Sequence, residues 1–335
     1  MITRLHITKY KCLRDENMEF RPLTVLAGTN SSGKSSVLQA ILLLARNCNP
    51  RNRERMYDLI SKHQDLNCDV SLTLDNSTYH YRTGSPDNSE ADILRIENSL
   101  YFLGANRMGA EDIAKLSPEY KVGNQGEFLF GTFTRNQNKP VPIFSSEQDI
   151  EAFAKDYSHI CQASLSVCDM ETEKTMEYVY YRKRKETFSC NIGLWLSYIT
   201  EVSLFLAARP ITPDLTNIFF VQDNMKKEIS PFNLGSGMSY LAKVLILCFL
   251  AKPGDVVMIE NPEIHLHPRA QSRLGEFFAF LASRGVQLVV ETHCKDILNS
   301  LHYQLYAEKL KADDVIIYYK ASAEKPFQLL SSNDI

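Results

Sequence analysis

The stretch GTNSSGKSS, Gly28 to Ser36, constrains this 335-residue chain more than any other. It satisfies G-x-x-x-x-G-K-[ST] and stands between an apolar run ending on Gly28, LTVLAG, and a helical pattern, SSVLQAILLLAR. Small residues between a buried strand and a helix let a loop turn its backbone N–H groups inward, and the helix N-terminus adds partial positive charge. Gly28, Asn30, Ser31, Ser32, Gly33, Lys34, Ser35 and Ser36 are then expected to cradle phosphates, with Lys34 on the β- and γ-phosphates and Ser35 on Mg²⁺. The competing reading is a Gly/Ser turn with an exposed lysine. At average composition the four fixed positions arise by chance in on the order of one in a hundred chains of this length. The flanking strand and helix make chance rarer still.

Hydrophobic periodicity extends the picture along the chain. TRLHITKY alternates as a strand upstream of the loop. The last third alternates strand and helix: Ser239 to Ala251 reads as a buried helix, DVVMIE as a buried strand, and Pro268 to Ser283 as an amphipathic helix with Leu274, Phe277, Phe278 and Leu281 on one face. The strand VQLVVET, a short helix from Asp296 and the strand VIIYYK at 315 to 320 follow. Such alternation predicts an α/β core with a mainly parallel sheet. Residues 51–230 are more polar and mixed, with a hairpin pattern (DVSLTL, NSTYHYR), a Gly/Asn-rich stretch at 123–138 and the apolar IGLWLSYI around Trp195. The expected organisation is a discontinuous core, 1–50 and 231–335, interrupted by an inserted α+β region, 51–230, part sheet and part lid or arm.

A formal net charge of -3 excludes a global attraction to nucleic acid or anionic lipid. Two local basic patches stand out, four arginines between Arg46 and Arg55 and the run RKRK at 182–185; each is either a solvated loop or a contact for a polyanion. The eight cysteines form no C-x-x-C pair, which argues against a zinc knuckle and suits a reducing compartment. The start MITRLHITKYKCL lacks an export core, and the richest apolar stretch, VLILCFLA, is far short of the roughly 20 residues a spanning helix needs. A soluble, cytoplasmic protein with no membrane partner is expected.

Three further segments specify the class. NLGSGMSYL at 233–241 opens a helix, VVMIENPE ends an apolar strand in acid, and ETHCKDIL follows the next strand with His293. Alone, GSGMSY could be a plain helix N-cap through Ser236 or Ser239, and His293 a satisfied histidine at a strand end. In this order, with the phosphate loop upstream, they resemble the signature segment, Walker B strand and switch histidine of ABC-type ATPase heads. IENPEIHLHP and VVETHCKDILN are similar to the OLD-like branch of that class, relatives of the SMC heads; YFLGANRMG, VGNQGEFL and LWLSYI are further matches. The resemblance implies a P-loop NTPase fold of ABC/SMC-head type, with antiparallel N-terminal strands beside a mainly parallel sheet. It implies ATP and Mg²⁺ as cofactors, Glu260 as the Mg²⁺-side acid, His293 at the γ-phosphate, and a homodimer through an ATP sandwich. There Ser236 and Gly237 would meet the nucleotide on the partner's Lys34. It also implies a role in DNA sensing or anti-phage defence, with DNA as a candidate partner. OLD nucleases carry a C-terminal TOPRIM domain after the head; with 42 residues after His293, a separately encoded effector, a nuclease or toxin, is expected instead.

The chain departs from that class at one position. Most such heads follow the Walker B acid at once with a glutamate that polarises the attacking water; here Asn261 follows Glu260. An amide positions water but does not accept its proton, and losing a general base costs about 10²–10⁴ in rate. Set against a typical kcat of about 10 s⁻¹, turnover falls to the order of seconds to many minutes. Glu263, two residues on across a proline turn, is a candidate replacement. His265 and His267 remain open between interface or γ-phosphate sensing, packing, and a metal site that lacks local ligands to complete its shell. Two other readings compete: a scaffold in which ATP is a structural ligand with little hydrolysis, and a transporter subunit, disfavoured because the insert lacks a coupling segment for a membrane partner.

Overall fold

The computed structural model describes residues 1–46, 69–75, 77–82, 85–86, 98–117, 122–123, 125–144, 146–160, 187–222 and 227–330. The chain divides into two compact units, 1–102 with 253–261 and 278–335, and 103–252 with 262–277. The division cuts across the boundaries expected from the sequence. Residues 69–86, assigned to the insert, belong to the first unit, whereas 231–252 belong to the second. The physical reason is strand pairing. β4 (Asp69–Leu74) runs antiparallel beside β1 (Ile2–Tyr10), burying Val70, Leu72 and Leu74 in the core that β1 helps to build. The patch at Arg46 to Arg55 falls almost wholly, and RKRK entirely, outside the described residues.

The first unit holds two sheets. One is antiparallel, ordered β2 (Leu13–Glu19), β1, β4, β5 (Ser77–Arg82), β6 (Ser85–Pro86). The other has six strands in the order β15 (Gln328–Leu329), β14 (Val315–Lys320), β3 (Leu23–Gly28), β13 (Gln287–Thr292), β12 (Val256–Glu260), β7 (Leu100–Leu103). Its centre, β14-β3-β13-β12, is parallel, and the middle strands are buried on both faces. Helix α1 (Lys34–Arg46) is buried nearly all round, which explains why its apolar residues circle it instead of forming a stripe. Val37, Leu38, Ile41 and Leu44 share one core with Leu5 and Ile7 of β1, Val70 and Leu72 of β4, and Leu26, Met258, Val289 and Ile316 of the parallel sheet. At about 1.5–3 kcal/mol for each fully buried aliphatic side chain, this helix ties the antiparallel sheet to the parallel one.

β2 was not expected from the pattern, because LRDENME breaks strand alternation with three charges in a row, Arg14, Asp15 and Glu16. Leu13, Glu16 and Met18 nevertheless face inward. Glu16, 6% exposed, is tolerated because the Lys320 ammonium donates to it at 2.9 Å.

The second unit pairs antiparallel strands β8 (Ile113–Lys115), β9 (Leu204–Thr212), β10 (Leu215–Gln222) and β11 (Lys227–Ile229). Helices α2 (Leu129–Asn136), α3 (Glu147–Asp156), α4 (Phe188–Thr200) and α5 (Ser236–Leu250) also belong to it, as does α6 (Pro268–Ser283) as far as Phe277. Its core is aromatic: Trp195 of α4, fully buried, meets Phe277 edge-on at 4.8 Å, and Phe249 of α5 lies 5.5 Å from the same ring. Helix α7 (Lys295–Tyr306) completes the first unit. Among the described residues no helix is long and apolar enough to cross a membrane.

Candidate functional site

The parallel ladder brings four strand ends to one place. Glu260 of β12 pairs in register with Glu291 of β13, Glu291 with Leu26 of β3, and Gly28 with Lys320 of β14. Ligand sites in open α/β sheets form at such carboxyl ends. Between β3 and α1 the loop turns sharply: Gly28 has φ 141°, Ser31 59° and Gly33 107°. Gly28 has no substitute, since a Cβ there would stand 2.1 Å from the Lys320 carbonyl oxygen, which accepts the Thr29 N–H at 3.2 Å. At Gly33 a Cβ would stand 2.5 Å from Cys12 Sγ. Glycine is required at both positions for close approach as well as for left-handed backbone.

Within this loop Lys34 is 2% exposed, and its ammonium donates to the carbonyls of Thr29 at 2.6 Å and Gly28 at 3.2 Å. Asn30 and Ser31 are exposed, whereas Ser32 is buried with a hydroxyl that meets no hydrogen-bond partner among the described residues. A buried hydroxyl without a partner costs roughly 1–3 kcal/mol, and a phosphate oxygen would remove that cost. Glycines that admit backbone only, a buried lysine and a waiting hydroxyl fit a nucleotide phosphate chain. Ser36 is buried beside Cys12.

The hydroxyl of Ser35 donates to Glu291 Oε1 at 2.9 Å. Glu291 is 4% exposed and was not singled out from the sequence, where it reads as one acid in ETHCKDIL. Glu260 lies close enough to Lys11 to favour that ammonium's charge, although burial pushes the Lys11 pKa down overall. Lys11 donates to Gln39, one turn beyond Ser35 on α1. The Glu291 carboxylate thus stands at the start of α1, where the helix dipole favours negative charge, and Glu260 lies in register with it on the neighbouring strand. With the Ser35 hydroxyl they fit a divalent cation held on a nucleotide.

Asn261 follows Glu260 with φ 44°, and its N–H donates to the Glu291 carbonyl at 2.8 Å. The left-handed backbone supplies a local reason for asparagine, one of the few non-glycine residues that adopt it readily. His293, exposed, comes directly after Thr292, which pairs with Ala27 of β3, so it emerges on the loop side of the ladder.

Lys320 is a second feature the sequence reading passed over. Its carbonyl shapes Gly28, while its ammonium, 1% exposed, pairs with Glu16 and also donates to the Lys325 carbonyl. Its signal was a lone cation closing the apolar run VIIYYK.

Ser236, Gly237 and Glu263 fall in the second unit. Ser236 is exposed at the first position of α5, and Gly235 before it has open space around it. Gly237 packs so closely on the IENPEIHLHP turn that a Cβ would stand 2.5 Å from the His265 carbonyl oxygen. The His265 ring lies 5.1 Å from Tyr240, and the buried Arg107, from the GANRMG stretch, stacks over the same tyrosine at 5.2 Å. His267 Nδ1 accepts the Arg269 N–H at 3.4 Å, at the start of α6. Among the described residues no group of three or more His, Cys, Asp or Glu is placed to hold a metal ion. About two turns into α5, Lys243 is fully buried and paired with Glu111.

This strand order and this loop define a P-loop α/β fold of the kind found in SMC heads. The chain belongs to the family described as "AAA domain, putative AbiEii toxin, Type IV TA system", whose model matches residues 23–294. An OLD nuclease of Thermus scotoductus is 22% identical over 356 aligned residues, covering 97% of this chain and 65% of that protein. The chain therefore spans a little less than two thirds of that relative. Among solved structures, an Smc head domain with an extended coiled coil bound to the C-terminal domain of ScpA, derived from Pyrococcus furiosus, superposes with a TM-score of 0.55 at 12% identity, covering 99% of this chain and 96% of that one. An SmcHead bound to the C-winged helix domain of ScpA gives 0.53 at 14%, covering 98% and 97%. At these identities the likeness is one of fold.

Proposed function

We propose that the chain is a nucleotide-operated switch: it binds ATP·Mg²⁺ in the first unit, pairs with a second copy through the nucleotide, and hydrolyses slowly to reset. The observation that carries this reading is the cradle itself, with Gly28 pressed on Lys320, Lys34 folded into the loop and Ser35 on Glu291. Ser236, exposed at the start of a 15-residue helix, supports the pairing: the helix N-terminus offers N–H groups and a hydroxyl to a γ-phosphate on another subunit. Bound Mg²⁺ would neutralise phosphate charge and polarise the γ-phosphate. Ser35 and Glu260 would hold it, Lys34 would leave its loop carbonyls for the phosphates, and His293 would face the γ-phosphate.

Asn261 sets the rate. It orients water without taking its proton, so ATP binding gives a long-lived on-state and hydrolysis ends it. Glu263 is the candidate for supplying a base; phosphate release unchanged in Glu263→Gln would end that role. The family description names a putative toxin of a type IV system, and the aligned relative is named a nuclease. Both favour a switch that works with a toxin or nuclease activity in defence, with DNA as a candidate signal.

The second reading is an ATP-stabilised scaffold that holds a partner protein, favoured by the local backbone reason for Asn261. Size-exclusion chromatography with and without ATP·Mg²⁺, paired with phosphate release, separates the two. A nucleotide-dependent dimer with slow turnover supports the switch; a nucleotide-independent assembly with no turnover supports the scaffold.

A further inference from the structure

We infer that Glu291 is a positioning residue for the cation side of the cradle, aiming the Ser35 hydroxyl at the Mg²⁺ of a bound nucleotide. The inference rests on the nucleotide reading above and extends it to a residue outside the expected motifs. Glu291 lies on a strand buried along its whole length, where a carboxylate is costly unless its oxygens are engaged. One oxygen accepts the Ser35 proton at 2.9 Å, and the residue's own carbonyl accepts the Asn261 N–H at 2.8 Å. The same residue therefore touches the Walker A serine through its side chain and the Walker B turn through its backbone.

A hydroxyl has one proton and two lone pairs. With the proton committed to Glu291, both lone pairs of Ser35 are left for a cation, and the rotor is set before the ion arrives. Glu260, in register with Glu291 on the neighbouring strand, instead has Lys11 as its nearby cation. In this reading Glu291 orients the serine, and Glu260 is the acid that would face the ion and its waters. A carboxylate accepts such a bond roughly twice as strongly as a neutral oxygen does. Glutamine should keep the geometry with a weaker hold, and methionine should lose both.

The test measures the affinity of a fluorescent ATP analogue in Mg²⁺ and in EDTA for wild type, Glu291→Gln, Glu291→Met, Ser35→Ala and Ser35→Ala with Glu291→Gln. The readout is the ratio of the two affinities, the gain due to Mg²⁺. Outer partners of metal ligands typically contribute about 10–100-fold. The expected result is a gain that falls about tenfold or more in Glu291→Met and less in Glu291→Gln. EDTA affinity should stay within about twofold, and Glu291→Gln should have no further effect once Ser35 is alanine. Should Glu291→Met fail to fold, Glu291→Gln and its double variant carry the same test.

An unchanged Mg²⁺ gain in both variants overturns the inference. So does an equal loss in Mg²⁺ and EDTA, which would mark a purely structural acid, or an effect that adds to that of Ser35→Ala. A slower kcat with an intact Mg²⁺ gain would make Glu291 a base and not a positioning residue. If wild type binds no nucleotide in either buffer, the nucleotide reading itself fails and this inference with it.

Discussion

The two units carry their functional groups in different ways. In the first, the cradle is built from backbone: strand register aligns Glu260, Glu291 and Leu26 and sets Gly28 beside Lys320, and glycines admit a close carbonyl. In the second, α5 is anchored by side chains far apart in sequence, Lys243 with Glu111, and Tyr240 between Arg107 and His265. A backbone cradle tolerates almost no change at a few positions. A side-chain anchor spreads its energy and can be dismantled by one substitution at a time.

The sharpest contrast is between two glycines. Gly28→Ala puts a methyl group 2.1 Å from the Lys320 carbonyl oxygen at φ 141°, and nucleotide binding should be lost, by about 3 kcal/mol or more, in a fluorescence titration. Gly235→Ser meets nothing within 4 Å, and its melting temperature should match wild type to within about 1 kcal/mol of stability. Equal damage at both positions would erase the distinction between the units.

The buried ion pairs come next. Lys320→Met strands Glu16, and removing one partner of a buried pair costs about 3–5 kcal/mol. Because the Lys320 side chain also lies against Gly33 of the loop, nucleotide affinity should fall along with stability. Lys243→Met should lower the denaturation midpoint by a similar amount while leaving the cradle's affinity for nucleotide within a few-fold of wild type. Loss of binding in Lys243→Met would show that the cradle depends on the second unit.

A smaller effect is expected at Asn261. Aspartate also adopts left-handed backbone, so Asn261→Asp restores a carboxylate with little strain and should raise phosphate release about 10–100-fold. Glutamate is the poorer replacement, since the φ of 44° costs it on the order of 1 kcal/mol. No acceleration with aspartate would remove this position from the chemistry.

The smallest expected effect is a pH dependence. Burial lowers the Lys243 pKa below 10.5, with Glu111 opposing. Just below 10.5 the unfolded chain therefore binds more protons than the folded one, so this group makes stability rise with pH there. The slope of the urea midpoint on the approach to pH 10.5 should flatten in Lys243→Met. An unchanged slope would mean that Lys243 stays fully charged in the fold.

Legibility in the sequence follows the same division. The cradle could be read because backbone geometry demands glycines at set intervals, and the core strands and α6 because periodicity reports burial directly. β2 was hidden by Glu16, an inward acid whose partner Lys320 lies 304 residues away. Glu291 was hidden because its meaning depends on a neighbour, Ser35, 256 residues earlier. Anchors such as Lys243–Glu111 look like ordinary surface charges until the fold buries them. The place of 69–86 beside the N-terminal strands was hidden for a related reason: β4 pairs with β1 across more than sixty residues, and such a pairing leaves no local mark.

In the proposed switch the working site is shared between two copies of the chain. Lys34→Ala should disable the cradle, and Ser236→Arg, at an exposed position, should disable the helix end offered to the partner. Each variant alone should release no phosphate above background. Mixed in equal amounts, half of the dimers carry one intact site of two, and phosphate release should recover to roughly a quarter of the wild-type rate. A mixture of folded variants no more active than either alone would contradict the shared site.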